Sequence, residues 1–441
     1  MNKYQSYKPS GVEWVGEIPE HWKKCRLKNV SKSVNGYSFK SDDFDREYDI
    51  PVIRIGDVGD EIDFEDCIKV KSDFLTDKKD FIVCRNDILI GLTGGTIGKS
   101  GRYNYDTPSL LNQRVGLLRN NKDLLNGLLY HYVKSEVFIR YIFYDCYGGG
   151  QDNISMNDIL KMVFPLPPSQ EQLQIVQFLD DKTDLIDKLI STKERKITLL
   201  KEQRTSLINE VVTKGLNPNV KMKGSGVEWI GEIPEHWEIK RTSYLCTDMM
   251  SGPFGSSLKK EFYTKNGYKI YGQEQVIDDD FSIGDYYISE EKFNELKRCE
   301  IFTNEILISC VGTFGKISLV PKKFERGIIN PRLLKITPNE LLINPTYFLI
   351  LLRSNISFSQ FQCFSRGGTM GVINLEILKQ LRFSIPPIKE QDKILEHLDS
   401  KTKEIDDLVN FEQKKIDLLK EYRQSLISEV VTGKIKVTTD E

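Results

Sequence analysis

The chain has 441 residues, 29% of them charged, yet acids and bases nearly cancel to a net charge of −2. That length suggests roughly three or four domains, and the charge balance excludes a globally cationic polyanion binder, so any nucleic-acid contact must be confined to particular faces. No apolar run approaches the roughly 20 residues of a membrane span, the N-terminus lacks the apolar core of a signal peptide, and eight cysteines without any C-x-x-C spacing read as reduced thiols. A cytoplasmic protein with no membrane partner is expected.

The stretch Gly11-Val-Glu-Trp-Val-Gly-Glu-Ile-Pro-Glu-His-Trp22 opens a mixed segment and returns as Gly226-Val-Glu-Trp-Ile-Gly-Glu-Ile-Pro-Glu-His-Trp237, an offset of 226 − 11 = 215 residues. One unit is written twice, and such pseudo-two-fold symmetry suits a target with two halves. β-Branched runs such as Pro51-Val-Ile-Arg-Ile-Gly56 and Asp87-Ile-Leu-Ile-Gly91 are broken every few residues by turn formers, which predicts short strands and long loops. Short helices are expected over 124–137 and 347–354, each before a glycine cluster (148–150 and 367–368).

Pro167-Pro168 with Glu171-Gln172 returns as Pro386-Pro387 with Glu390-Gln391, an offset of 390 − 171 = 219. After the first pair, Ser169 is expected to cap a helix, with Gln172 completing a capping box. Leu179, Thr183, Ile186, Ile190, Lys193, Ile197, Leu200, Arg204, Leu207 and Val211 then follow alternating steps of four and three, up to Gly215. The second copy offers Leu398, Thr402, Ile405, Val409, Glu412, Ile416, Leu419, Arg423, Leu426 and Val430, stopping before Gly433. A period of 3.5 sustained over so many turns predicts that the two helices pack on each other rather than each on its own domain. Residues 215–224 are a short connection, so an antiparallel pair is expected, with a mixed domain at each end of a rod of roughly 65 Å. Lys193 and Glu412 would then meet near the middle.

The class is therefore α+β: two tandem pseudo-symmetric α/β domains, 1–166 and 222–385, each followed by a coiled-coil segment, 167–221 and 386–441. Several catalytic readings fail on spacing. Gly94-Gly-Thr-Ile-Gly98-Lys99-Ser100 lacks the first glycine of a phosphate-binding loop, since Thr93 stands there, and Gly312-Thr-Phe-Gly315-Lys316-Ile317 also lacks the hydroxyl. No dinucleotide fingerprint is present. His21 and His236, inside Glu-His-Trp elements, read as packing or capping residues, and His131 and His397 as surface residues. Trp14, Trp22, Trp229 and Trp237 read as core anchors. Nothing assembles a nucleophile, a base and an orienter, so no catalytic activity is expected of this chain and no metal site.

The two repeated entrances, the Pro-Pro-x-x-Glu-Gln helix starts and the helix ends (Leu199-Leu-Lys-Glu-Gln-Arg-Thr-Ser-Leu-Ile-Asn-Glu-Val-Val-Thr213 and its second copy) resemble the specificity subunit of type I restriction–modification systems. Asn35-Gly-Tyr-Ser-Phe-Lys40, Ser251-Gly-Pro-Phe-Gly-Ser-Ser-Leu-Lys-Lys260, Gly95-Thr-Ile-Gly-Lys99, Asn112-Gln-Arg114 and Gln151-x-Asn153 resemble elements of its target-recognition domains. The second copy departs at the last two, with Asn330-Pro-Arg332 and Met370-Gly-Val-Ile-Asn374. The resemblance implies a non-catalytic subunit in which each domain reads one half of a bipartite double-stranded DNA target. The helices would act as ruler and as docking surface for two methylation subunits, which bind S-adenosylmethionine and modify adenine. Restriction subunits using ATP and Mg would join them; no cofactor is implied on this chain. A duplicated coiled-coil scaffold that never touches DNA is the alternative; the divergence of the loop-rich domains speaks against it.

Phosphates need Lys or Arg, and base edges need Arg, Gln or Asn. The candidates are Lys40, Lys99, Arg102, Gln113 and Arg114 in the first copy. Ser256, Ser257, Lys259, Lys260, Gln273, Lys316 and Arg332 are those of the second. Arg114 and Arg332 follow apolar pairs, which leaves an inward structural role open. Ile186, Ile190, Lys193, Ile197, Leu200, Leu207, Ile405, Val409, Glu412, Ile416, Leu419 and Leu426 are the candidates for helix pairing and partner docking.

Overall fold

The computed structural model describes residues 3–59, 61–146, 153–254, 257–310, 316–365 and 374–437. The glycine clusters, Gln151, Ser256, residues 312–315 and residues 370–373 lie outside them. The fold divides into two compact units, residues 1–194 with 413–441 and residues 195–412.

In the first unit, Ser31–Asn35, Val115–Asn120, Ile88–Gly91 and Ser100–Arg102 form an antiparallel sheet in that spatial order. Ile88, Leu89 and Ile90 are all fully buried, so this strand is covered on both faces, as its unbroken apolar run requires. A second sheet orders Lys69–Val70, Ile50–Ile53, Ser109–Leu111 and Ile82–Val83, with one parallel pair, Leu110 opposite Val52.

The second unit repeats the plan. Cys246–Ser251, Leu333–Pro338, Ile306–Ser309 and Ile317–Leu319 form the antiparallel sheet. Tyr263–Thr264, Tyr287–Ile288, Tyr268–Tyr271 and Gly327–Ile329 form the other, with Ile270 parallel to Ile328. The edges trade places: an isolated bridge in one copy (Asp45 to Lys69; Glu300 to Ile328) stands where the other has a strand. The offset rises from 246 − 31 = 215 to 268 − 50 = 218 and 382 − 163 = 219; one extra residue of the second copy makes a bulge at Cys246–Asp248 in its strand, and others fall within loops.

In each unit the strand after the entrance pairs with the last strand of the mixed segment, just before the long helix: Lys23–Arg26 with Val163–Leu166, and Glu238–Arg241 with Arg382–Ile385. The helix expected over 124–137 is two helices, Asn126–Lys134 and Glu136–Tyr141. Ser135 between them is extended and its hydroxyl accepts from the Phe138 N–H, so it starts a new helix instead of continuing the old one. In the second copy the helix begins earlier than expected, at Pro345, which suits a first helical position, and it stops at Ser354.

The long helices run over Ser169–Lys214 and Ile388–Val431, 46 and 44 residues. Every expected seam position is buried or half-buried, including Ile186, Ile190, Ile197, Leu200, Leu207, Ile405, Val409, Ile416, Leu419 and Leu426, while Lys193 is half-buried. In the second unit Lys196 pairs with Glu412 at 2.8 Å and Arg204 with Asp406 at 3.0 Å, so numbers rise on one helix as they fall on the other. In the first unit Arg423 pairs with Asp187. The helices form an antiparallel coiled coil. Glu412 is only 3% exposed, and a carboxylate that deep requires a cation; Lys196, three residues beyond Lys193, supplies one.

Two sequence expectations fail at the joint between helix and mixed segment. Gln172 does not complete a capping box. It is buried, accepts from the Leu125 N–H (2.9 Å) and donates to the carbonyls of Asp123 (2.9 Å) and Pro167 (3.0 Å), tying the loop before the short helix to the long one. Gln391 does the same for the Asn344 N–H and the Leu342 and Pro386 carbonyls. His131 is not a surface residue: it is buried, with Nε2 2.7 Å from Asp180 on the long helix. A hydrogen bond from the imidazole holds the Asp180 carboxyl below its usual range. His397 is half-buried.

Candidate nucleic-acid interface

Gly36 directly follows the strand Ser31–Asn35, and a Cβ there would lie 1.8 Å from the Asn112 carbonyl oxygen. Only glycine lets the two backbones pass this close. Around that crossing the Gly36 N–H donates to the Val115 carbonyl (3.0 Å), Tyr37 to Leu111 (2.8 Å) and Gln113 back to Tyr37 (2.8 Å). Gly252 repeats the crossing, with its Cβ position 1.9 Å from the Asn330 carbonyl oxygen and its N–H donating to Leu333 at 3.0 Å.

A third segment joins at the same end of the sheet. The Leu92 N–H donates to the Arg114 carbonyl (3.0 Å), the Ile154 N–H to Leu92 (2.9 Å), and Thr93 bridges Asn153. Gly91 donates to the Lys99 carbonyl at 2.8 Å. In the second unit Cys310 donates to Arg332 (2.9 Å) and Ser309 to Lys316 (3.0 Å). The segments that sequence reasoning singled out, 35–40, 95–99, 112–114 and 153, therefore converge at one loop end. Segments 251–254 and 257–260, with 316 and 330–332, do so in the other unit.

Lys40, Lys99, Gln113 and Arg114 are exposed, as are Ser257, Lys259, Lys260, Lys316 and Arg332. Among the described residues none of these side chains makes a hydrogen bond or ion pair within the fold, which leaves their charge and donors facing solvent. The inward alternative for Arg114 and Arg332 is excluded by that exposure. Arg114 holds φ at +71°, a left-handed conformation costing a non-glycine residue about 1 kcal/mol. Arg332 is set instead by its N–H on the Asn330 carboxamide oxygen at 2.8 Å, and its charge opposes the upward push that burial gives the Tyr263 hydroxyl.

Two candidates do not join the loop end in this way. Arg102 sits opposite Ile88, at the far end of its strand, with its guanidinium over the Tyr130 ring at 4.6 Å. Gln273 is half-buried and donates to the Ser309 hydroxyl at 2.6 Å, bracing the loop end from beneath. Sequence reasoning names Asn112 and Asn330 only as members of their segments, with no part in a crossing, and does not name Ser309; the glycine recurring at a strand end in both copies is the available signal.

The entrances and helix starts interlock at the other end of each unit. Glu171 accepts from the Trp22 indole (2.8 Å), lies 2.5 Å from the His21 Nε2 and takes the Tyr4 hydroxyl at 3.2 Å. Gly433, at φ +73°, ends the distal helix against Pro19 and Trp22. In the second unit His236 meets Glu390 at 2.8 Å, and Gly215, at φ +74°, ends the central helix against Trp237. Trp22 and Trp237 are fully buried, whereas Trp14 and Trp229 are half-buried. Each unit thus clasps the start of one long helix and the end of the other. Among the described residues no group of three or more His, Cys, Asp or Glu could hold a metal ion. No helix there is long and apolar enough to cross a membrane.

This geometry has relatives. The family model of the type I restriction modification DNA specificity domain matches residues 19–199 and again 234–421. The type I restriction enzyme MjaVIII specificity subunit of Methanocaldococcus jannaschii is 25% identical over 370 residues, covering 81% of each chain. The EcoBI specificity subunit of Escherichia coli is 24% identical over 396 residues, covering 87% of this chain and 79% of its own. Among solved structures, a chain from a study of type I restriction–modification complex assembly superposes with a TM-score of 0.69 at 14% identity, covering 95% of this chain and 99% of that one. The HsdS subunit of Thermoanaerobacter tengcongensis gives 0.52 at 14% identity, covering 95% and 98%. With the family model matched twice, once in each copy of the repeat, the chain belongs to the type I restriction–modification specificity subunits, whose part in the system is DNA recognition rather than catalysis.

Proposed function

We propose that the two units read the two halves of a split, asymmetric DNA target, with the paired helices fixing the gap between the halves. The recognition segments are residues 1–166 and 222–385, and the helical segments 167–221 and 386–441. Lys40, Lys99, Lys259, Lys260 and Lys316 neutralise phosphates. Gln113, Arg114 and Arg332 reach base edges, and Ser257 approaches the backbone. Gln273 acts from beneath, by positioning the loop end, and Arg102, at the far end of its strand, takes no part in it. No bond is made or broken on this chain. Two methylation subunits dock on the helices and bring S-adenosylmethionine to adenine; restriction subunits bring ATP, Mg and cleavage.

The observation that carries this reading is the loop end built twice on one backbone plan, with different side chains displayed each time. Adenine-methylation mapping in cells expressing this chain with its neighbouring methyltransferase tests it. The expected result is one new motif of two short specified blocks around a fixed gap. A stable complex that methylates without sequence preference would overturn it.

A further inference from the structure

We propose that Phe254 is a specificity-determining residue of the second recognition segment, reading a thymine through its C5-methyl group. This rests on the DNA-reading role proposed above and adds to it a residue and the chemical group it recognises. Phe254 is 77% exposed, more than any other phenylalanine among the described residues. Leaving such a ring in water forgoes roughly 1.5–3 kcal/mol of burial; single exposed apolar residues are common, and it is the place of this ring, at the loop end beside Ser257, Lys259 and Lys260, that points to a partner covering it.

Its mount is rigid. Gly252 is pinned beneath Asn330, Pro253 is buried with φ fixed by its ring, and the Phe254 carbonyl accepts from the Ser257 N–H at 3.1 Å. The ring therefore stands two residues beyond the crossing that also holds Arg332. Exposed Ser257, Lys259 and Lys260 follow it, an environment for a polyanion rather than for an apolar protein surface.

The first unit has no ring at the equivalent position. Strand register and the shared glycine place Ser38 where Phe254 stands, since Asn35 pairs with Gly116 and Ser251 with Leu334. Its neighbours turn inward: Phe39 is buried, and Tyr37 is half-buried with the Lys78 ammonium 4.4 Å from its ring. The major-groove edges of base pairs are donors and acceptors, with one apolar group among them, the thymine methyl. A phenyl ring laid on any other edge would desolvate it without replacing its hydrogen bonds. The chemistry selects thymine.

The test uses the intact methylation complex with wild-type, Phe254→Ala and Phe254→Leu chains. Each thymine of the second specified block is replaced singly by deoxyuracil, which deletes only the methyl group. One replacement should weaken wild-type binding roughly fourfold, the value of one buried methyl. Phe254→Ala should bind the normal duplex roughly tenfold more weakly and no longer distinguish the two duplexes. Phe254→Leu should retain part of the discrimination, and replacements in the first block should affect all three proteins alike.

Three outcomes would overturn the proposal. The first is Phe254→Ala keeping full affinity or full sensitivity to the methyl group. The second is a folded Phe254→Ala that no longer assembles with the methylation subunits, which would make Phe254 a protein contact. The third is a base-step unstacking signal from 2-aminopurine that depends on Phe254 without any methyl sensitivity, which would make it a wedge. Failure of the underlying reading is distinguishable, since the wild-type complex itself would then show no preferred sequence.

Discussion

In the first unit the backbone at Gly36 passes beneath Asn112 and displays Ser38, Gln113 and Arg114; in the second, Gly252 passes beneath Asn330 and displays Phe254, Pro331 and Arg332. The same close backbone crossing recurs in both copies, with the carbonyl oxygen 1.8 and 1.9 Å from the Cβ position, while most of the displayed side chains change. Backbone positions that touch other backbone tolerate no side chain at all, whereas positions one or two residues away meet only solvent. Specificity can therefore diverge without disturbing the scaffold. The helix joints show the complementary case: Gln172 and Gln391, both buried, keep the same three hydrogen bonds because their partners are backbone groups, which do not change with the side chains. Away from them the joints differ. His131 caps Asp180 in the first unit, where Ile350 and Asp399 line an open cleft in the second.

The comparison can be broken in order of expected effect. Leu200→Asp with Leu419→Asp places two charges in the seam and should cost more than about 4 kcal/mol, abolishing cooperative melting. Gly36→Val and Gly252→Val should each cost about 3 kcal/mol, because a carbonyl oxygen occupies the Cβ position, while Gly94→Ala should cost only about 1 kcal/mol. There φ is +58° and nothing lies within 4 Å. Unequal melting shifts for the two valine variants would show that the scaffold is not shared. Gln172→Ala and Gln391→Ala should each lose about 2 kcal/mol, since buried N–H and C=O groups are left unpaired.

Lys259→Ala with Lys260→Ala should leave melting unchanged and reduce the salt slope of DNA binding by about 2; an unchanged slope would remove both lysines from the interface. The smallest effect is expected at Asp180. Its carboxyl is held below the ordinary value by His131, so the contribution is present above that value and lost as pH falls through the lower, folded one. The melting difference between wild type and Asp180→Asn should therefore shrink as pH falls below about 4.

The repeat and the coiled coil were legible because periodicity is a property of sequence: a 3.5-residue spacing specifies a seam whatever packs around it. The loop-end segments were legible through resemblance, and their convergence agrees with it. The role of Gln172 was not, because S-x-x-Q has the form of a cap and nothing local reveals that Leu125 and Asp123 lie above it. Nor was the break at Ser135, where one residue's extended backbone outweighs a continuous apolar pattern. His131 was misplaced for a similar reason: its partner, Asp180, is 49 residues away in sequence. The parallel pairing of Ile50–Ile53 with Ser109–Leu111 is likewise non-local, and composition carries no trace of it.

The most direct test replaces residues 222–385 with the corresponding segment of a relative whose target is known, and maps adenine methylation. The account predicts a motif in which one block is exchanged for the relative's while the other block and the gap stay fixed. If both blocks change, or the gap changes with them, the reading of one unit for one half-site is wrong.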